Sequence, residues 1–177
     1  MAQQATLAPP STATDFDPTM LVLQLRPVFD LTDDQLAEIA SLNGDLRLEW
    51  TAEGALEIMA PAHSRTGNRN IKLATRVTIW AEQDGTGETF DASAGFRLPN
   101  GAVRSPDVSW VRRERLVTLT GAQRDTFLPL CPDFVLELRS DSDKLTTLQA
   151  KMREYLANGA RLGWLIDPQT RTVHIYR

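Results

Sequence analysis

The chain has 177 residues, of which 42% are hydrophobic, and a formal net charge of -4 at pH 7. This length is sufficient for one well-buried core and short for two, so we expect residues 21–177 to form a single domain. The negative charge argues against bulk, salt-driven wrapping of nucleic acid, although a local basic stripe can still contact phosphates.

The cysteine content and the N-terminal segment indicate where the protein works. A single cysteine, Cys131, excludes an intramolecular disulfide framework, so we expect a reducing, cytoplasmic location. Residues 1–20 are rich in Ala, Gln, Thr and Pro, with no basic start and no apolar core. They resemble neither a signal peptide nor a membrane span, and we predict a disordered tail and no membrane partner.

The first predicted elements are a capped helix and a hairpin. Thr32 is placed to act as N-cap, with Gln35 completing a capping box, and the helix should end near Leu42. Alternating apolar residues over 46–50 predict a half-buried strand, and residues 56–59 predict the returning strand.

A long helix with two distinct faces is predicted over residues 63–83. One narrow arc is basic and contains Arg65, Arg69, Lys72 and Arg76. The opposite arc is predicted to face the core and contains Ile71, Ala74, Val77, Thr78 and Ala81. The basic arc is either a solvated helix face or a stripe that contacts phosphates. His63 and Asn70 lie on the sheet-facing side, where they either approach an active site or serve the structure.

The middle of the chain is predicted to be strand-rich. Residues 88–92, 95–98 and 104–111 indicate three strands of a meander. Residues 112–116 indicate a short polar helix, and residues 121–132 a loop.

The last third of the chain alternates strand and helix. Residues 134–139 predict a central strand, followed by a helix over 144–157 that Ser142 or Asp143 can cap. Two more strands are predicted at residues 162–166 and 172–176. The order predicts an α/β fold with a mixed central sheet flanked by helices, in which the 144–157 helix is a crossover.

Two acids stand out within apolar, strand-like runs. Asp107 and Glu137 each have Val, Leu, Phe or Trp neighbours, and a carboxylate in such a run is rare unless it is paired or holds a cation. Magnesium prefers oxygen ligands, and the backbone carbonyl of Leu138 can add a third oxygen. We therefore expect a Mg²⁺ or Mn²⁺ site on neighbouring strands.

A metal phosphodiesterase also needs a cation beside the acids. Arg139 stands two residues after Glu137, but a guanidinium cannot act as a general base near neutral pH. Lys151, on the following helix, either replaces it or is a surface lysine. Glu49 is another acid among apolar strand neighbours, and it adds a ligand or a second metal site.

Several motifs carry a family resemblance. They are RLEWTAEG at 47–54, GFRLPNG at 95–101, RSPDVSWV at 104–111, CPDFVLELRS at 131–140 and LQAKMREYLANGARLGWLIDP at 148–168. With these motifs, residues 31–177 resemble the Uma-two family, a branch of the PD-(D/E)XK restriction-endonuclease-like superfamily. The resemblance implies Asp107 and Glu137 as metal ligands, Lys151 as a displaced catalytic lysine and Glu49 as an additional catalytic acid.

The function expected from this resemblance is metal-dependent endonuclease activity, with DNA as substrate. The four basic side chains of the long helix would then bind flanking phosphates, and a homodimer would place one site on each strand of a duplex. Two alternatives remain open: a catalytically inactive binding or assembly module, and a metal-dependent hydrolase of small phosphate esters. Metal affinity separates the first alternative from the nuclease, and an enclosed pocket would favour the second.

Overall fold

The computed structural model describes residues 20–59, 61 and 63–177. The helices are α1 (Asp33–Leu42), α2 (Ser64–Asp84), α3 (Arg113–Leu116), α4 (Gly121–Arg124) and α5 (Leu145–Ala157). The strands are β1 (Met20–Gln24), β2 (Arg47–Trp50), β3 (Ala55–Met59), β4 (Gly87–Asp91), β5 (Phe96–Arg97), β6 (Val103–Arg104), β7 (Val108–Arg112), β8 (Phe134–Leu138), β9 (Leu162–Asp167) and β10 (Thr172–Tyr176). The predicted tail lies outside the described residues except for Met20.

The strands form two five-stranded sheets. Sheet A has the order β1-β3-β2-β6-β5 and is antiparallel throughout. Sheet B has the order β10-β9-β8-β7-β4 and is mixed, because β8 and β9 are parallel and the other neighbours are antiparallel. Sheet B confirms the predicted α/β mixed sheet, with α5 as the crossover between β8 and β9. Sheet A as a separate layer, and β1 within it, were not predicted.

The strand predicted over residues 104–111 is two strands in different sheets. Val103 pairs with Trp50 in sheet A, whereas Val108 pairs with Leu136 in sheet B. Pro106 lies in the break, because a proline has no N–H to continue the ladder. The predicted meander is therefore wrong, and Asp107 lies in the passage from one sheet to the other.

Two local predictions are also corrected. The predicted loop at 121–132 contains α4, whose N-terminus carries a capping box between Thr120 and Gln123. The N-cap of α5 is Lys144, without a side-chain cap bond. Asp143 instead accepts a hydrogen bond from the backbone N–H of Ser140 at 2.6 Å, so it orders the preceding turn. The capping box of α1, by contrast, is confirmed.

The helices cover both faces of sheet B. Helix α5 buries Met152 against one face, and α2 buries Ala81 against the other. The predicted core face of α2 is wrong at Ile71, which is 62% exposed. Leu73 packs on the sheet instead, so the buried arc is rotated slightly around the helix axis. In the part of the chain that the structure describes, no helix combines the length and the apolar character needed to cross a bilayer.

Candidate active site

A cavity of about 1180 Å³ is lined by residues of both sheets, the N-terminal half of α2 and one face of α5. It brings together seven of the residues singled out in the sequence, namely Glu49, His63, Asn70, Asp107, Glu137, Leu138 and Lys151. The four basic residues of α2 do not line it. Nor does Arg139, which forms an ion pair with buried Asp167 at 2.9 Å.

Asp107 is held by donors from three parts of the fold. Its Oδ2 accepts a hydrogen bond from the backbone N–H of Leu138 at 2.8 Å. Its Oδ1 accepts from Arg47 Nη1 at 3.1 Å and from Asn70 Nδ2 at 3.4 Å. The carboxylate is 8% exposed, so its orientation is fixed inside the cavity wall.

The backbone of Leu138 lies next to the Asp107 carboxylate. Arg139, the next residue, donates its N–H to Ile166 on β9. Consecutive backbone groups of a strand point to opposite sides, so the N–H and C=O of Leu138 both point toward β7. Because β7 begins only at Val108, the Leu138 carbonyl extends past the end of the ladder, beside Asp107.

The Glu137 side chain, on β8, points toward α5 and meets two of its residues. Its Oε1 accepts a hydrogen bond from Tyr155 Oη at 2.9 Å and lies 3.0 Å from Lys151 Nζ. Burial raises the pKa of the Glu137 carboxyl, and the nearby Lys151 ammonium offsets only part of that rise. Burial and the Glu137 charge also raise the pKa of Tyr155, which therefore remains a proton donor to the carboxylate.

Lys151 is shared between two acids. Its Nζ lies 2.8 Å from Glu49 Oε1 as well as 3.0 Å from Glu137 Oε1. Burial lowers the pKa of the Lys151 ammonium, but Glu137 and Glu49 raise it by more, so the net pKa lies above the ordinary value. Lys151 is therefore a largely buried ammonium held by two acids, and not a surface lysine.

Glu49 is saturated with donors. Besides Lys151, its oxygens accept from the backbone N–H of Ser105 at 3.0 Å and from Arg104 Nη1 at 3.1 Å. Burial alone would raise the pKa of Glu49, but Lys151, Arg104 and Arg47 outweigh it and hold the pKa at about 2. Both oxygens of Glu49 thus accept hydrogen bonds from protein donors, as both oxygens of Asp107 do.

Arg104 joins the cavity wall to α5. Glu49 and Glu57 lie directly opposite each other on β2 and β3, a pairing of like charges that is unfavourable by itself. Arg104 Nη1 contacts both carboxylates, and its Nε donates to Glu154 Oε2 at 2.7 Å. One buried guanidinium therefore neutralises acids from sheet A and from α5.

The linked ion pairs leave an excess of negative charge. Within the described ranges the network contains five carboxylates and three cations, namely Glu49, Glu57, Asp107, Glu137 and Glu154 with Arg47, Arg104 and Lys151. The excess of two charges equals the charge of one divalent cation.

The donor set fits magnesium or manganese. No three acidic, histidine or cysteine side chains of the described residues form a ready metal cage. Magnesium needs only one or two carboxylates, because it keeps several of its waters. Asp107 and Glu137 supply two carboxylates, and the backbone carbonyl of Leu138 is a further oxygen of the same cavity lining.

The stability of the fold should depend on pH through Glu49. Its folded pKa of about 2 lies below the ordinary value of 4.5, so its ion pairs contribute fully above that ordinary value and are lost as the pH falls toward the folded one. A Glu49→Gln variant lacks this contribution. We expect the difference in unfolding free energy between wild type and variant, from urea titrations, to shrink between about pH 6 and about pH 3. A difference that stays constant would contradict this role.

Five residues of the site were not predicted as site residues, namely Arg47, Glu57, Arg104, Glu154 and Tyr155. Arg47 alternates with apolar residues on β2, a pattern that indicated a solvent-facing position. Arg104 was read as a strand residue, and Tyr155 as a core residue. The one usable signal was spacing, because Tyr155 lies four residues after Lys151 and therefore on the same side of α5.

The sequence model of the Uma2 family, described as "Putative restriction endonuclease", matches residues 33–177. The chain belongs to the Uma2 family. The Uma2 match includes every residue of the ion-pair network, from Arg47 to Glu154. The resemblance noted in the sequence is thereby confirmed. None of the curated proteins matches the chain significantly.

A solved structure supports the fold of this Uma2 protein. It is described as a "putative nuclease belonging to DUF820" from Anabaena variabilis, and it matches with a TM-score of 0.66 and 18% sequence identity. The match covers 84% of this chain and 80% of the other. At this identity the similarity shows the shared fold alone.

Proposed function

We propose that this Uma2 protein is a metal-dependent nuclease that hydrolyses phosphodiester bonds, with DNA as substrate and Mg²⁺ or Mn²⁺ as cofactor. The observation that carries the proposal is the convergence of Asp107, Glu137 and Lys151 on one cavity, from the segment between the sheets, a strand and a helix. Membership of a family described as restriction endonucleases supports it.

The metal would be held by Asp107, Glu137 and the Leu138 carbonyl. When bound, it would act as a Lewis acid on a phosphate oxygen and lower the pKa of a water molecule. Its two positive charges would balance the excess of the ion-pair network.

Lys151 acts as a charged group and not as a base. The ammonium is protonated because Glu137 and Glu49 raise its pKa, so it cannot accept a proton from water near neutral pH. It can donate hydrogen bonds that orient the attacking water, and it can stabilise negative charge as it develops on the phosphate. Glu49 and Glu137 hold it in place from both sides.

Other residues of the chain fix the two acids. Tyr155 donates to Glu137, and Arg47, Asn70 and the Leu138 N–H donate to Asp107. Side chains fixed in this way pre-organise the site. Pre-organised groups stabilise charge more strongly in a low-dielectric cavity than in water.

The basic arc of α2 is proposed to bind nucleic acid outside the cavity. None of its members, Arg65, Arg69, Lys72 and Arg76, pairs with an acid among the described residues, so all four are available for phosphates. A homodimer that cuts both strands and a cytoplasmic location complete the proposal.

A second candidate function is metal-dependent hydrolysis of a small phosphate ester. The observation that favours it is the lining of the site, which contains none of the four basic residues of α2. The volume does not favour it, because about 1180 Å³ lies above the range of roughly 300–1,000 Å³ for small-molecule pockets. Cleavage of DNA but not of p-nitrophenyl phosphate esters would exclude this candidate.

The first test compares wild type with Asp107→Asn. We expect wild type to cut supercoiled plasmid or single-stranded DNA with Mg²⁺ or Mn²⁺, and the variant to cut about 100- to 1000-fold more slowly, the usual cost of removing one group that stabilises developing charge. Calorimetry with Mn²⁺ should show weaker binding to the variant. Asp34→Asn, on the exposed first turn of α1, is the matched control.

The same test separates the catalytic readings from an inactive module. Wild type would then cut nothing, and Asp107→Asn would not weaken any binding of Mn²⁺. In that case Asp107 and Glu137 are a structural pair, and the protein is a binding module and not a nuclease.

A further inference from the structure

Three buried polar atoms that have no hydrogen-bond partner among the described residues belong to Arg47 and Asn70, the two side chains that donate to one oxygen of Asp107. Arg47 and Asn70 both donate to Asp107 Oδ1. Arg47 Nε, Arg47 Nη2 and Asn70 Oδ1 are buried and have no partner of their own. Buried polar groups are nearly always paired, so such a concentration calls for a reason. The other unpartnered atoms of the described residues belong to Trp50, Ser109 and Trp110, which do not line the cavity.

Arg47 differs in this respect from the other two cations of the network. Arg104 donates to three carboxylates, and Lys151 contacts two. Arg47 makes one hydrogen bond, through Nη1, and its Nη2 lies 3.6 Å from Glu49 Oε1, beyond hydrogen-bond distance. Its Nε and Nη2 therefore form a fork of charged donors without a hydrogen-bond partner among the described residues, on a side chain that lines the cavity.

The unpartnered atoms have the chemistry of a phosphate site with an adjacent hydroxyl or water. The planar guanidinium fork matches two oxygens of a phosphate, which accept both N–H groups at once. Asn70 Oδ1 is an acceptor, so its partner must be a donor such as water or a hydroxyl group. A phosphate ester together with the attacking water supplies both kinds of partner.

We propose that Arg47 is a catalytic residue that binds two non-bridging oxygens of the scissile phosphate through Nε and Nη2, while Asn70 accepts a hydrogen bond from the water beside it. This inference rests on the proposed function, and it adds a substrate-binding cation from sheet A to the acids and the lysine. Arg47 then stabilises the negative charge that grows on the phosphate during attack.

The test uses Arg47→Lys and Arg47→Met, with Arg153→Met on the exposed side of α5 as the matched control. Single-turnover cleavage of a single-stranded oligonucleotide with Mn²⁺ is expected to slow by about 100-fold in both Arg47 variants. Arg47→Lys retains the charge but not the fork, so its thermal stability and Mn²⁺ affinity should stay near wild type. A merely structural role would instead lower stability and leave the rate per folded molecule unchanged.

Inorganic phosphate distinguishes failure of this inference from failure of the proposed function. If wild type cuts, the cleavage rates decide: variants that cut at the wild-type rate overturn the role of Arg47 and leave the nuclease standing. If wild type does not cut, thermal shift with inorganic phosphate decides. Stabilisation that both Arg47 variants lose supports a phosphate site without nuclease activity, and the absence of Arg47-dependent stabilisation overturns the inference. Should Arg47→Met fail to fold, Arg47→Lys alone decides.

Discussion

Replacing Lys151 with methionine is expected to lower the rate of DNA cleavage by about 10²- to 10³-fold, the usual cost of removing one group that stabilises developing charge. The reason is that Lys151 is the cation nearest to Glu137, at 3.0 Å, and methionine keeps the length of the side chain without its charge. Binding of Mn²⁺ should be retained, because the substitution removes a competing cation from Glu137, a proposed metal ligand. Single-turnover rates at saturating Mn²⁺ and calorimetric titrations measure the two effects separately.

The control for Lys151 is again Arg153→Met, two residues along the same helix and exposed. Glu49 and Glu137 lose their shared partner in Lys151→Met, so some loss of stability is expected, and rates must be compared at temperatures where both proteins are folded. A variant that binds Mn²⁺ and cuts within a few-fold of wild type would show that Lys151 only neutralises the two acids.

Replacing Arg104 with methionine is expected to lower the free energy of unfolding by about 3–5 kcal/mol, the usual cost of removing one partner from a buried ion pair. Arg104 contacts Glu49, Glu57 and Glu154, and its removal leaves Glu49 and Glu57 opposed on neighbouring strands without a cation between them. Urea titrations followed by tryptophan fluorescence measure the change.

A second substitution tests the cause of that loss. Glu57→Gln removes one of the opposed charges, so the double variant Arg104→Met with Glu57→Gln should recover part of the lost stability. Arg113→Met, at an exposed position, should change the unfolding free energy by less than about 0.5 kcal/mol. A loss near 1 kcal/mol in Arg104→Met would mean that water reaches the network and screens it.

Local signals predicted the elements that depend on neighbours in sequence. The capping box of Thr32 and Gln35 located the start of α1, and the left-handed Gly85 ends α2 within a residue or two of the predicted end. These features are properties of a few consecutive residues, so the sequence contains them directly.

Features that depend on distant residues were not predictable in the same way. The division into two sheets follows from strand pairing, such as Val103 with Trp50, that no local pattern specifies. Arg104 lies among acids that are between 47 and 55 residues away in the chain, so its role as a bridge exists only in the folded protein. The same holds for Arg47, whose contact with Asp107 spans 60 residues.

Only part of the candidate site was predictable, because its contacts also depend on residues that are distant in the sequence. Asp107 and Glu137 attract attention because charge is unusual in their apolar surroundings, and Lys151 because the site needs a cation that Arg139 cannot supply. The fold does bring the three residues to one cavity. The basic residues of α2 formed an equally regular pattern, but the N-terminal part of that helix faces the cavity with His63 and Asn70. A helical pattern reveals which residues share a face and not what that face meets.

Because Asp107 lies between the two sheets, the rate of catalysis should depend on the position of one sheet relative to the other. Arg47 and Glu49 belong to sheet A and Glu137 to sheet B. A displacement of about 1 Å in a reacting group can cost a factor on the order of 100 in rate. A mild denaturant, a ligand or a neighbouring molecule that shifts one sheet relative to the other would therefore abolish catalytic activity while both sheets remain folded.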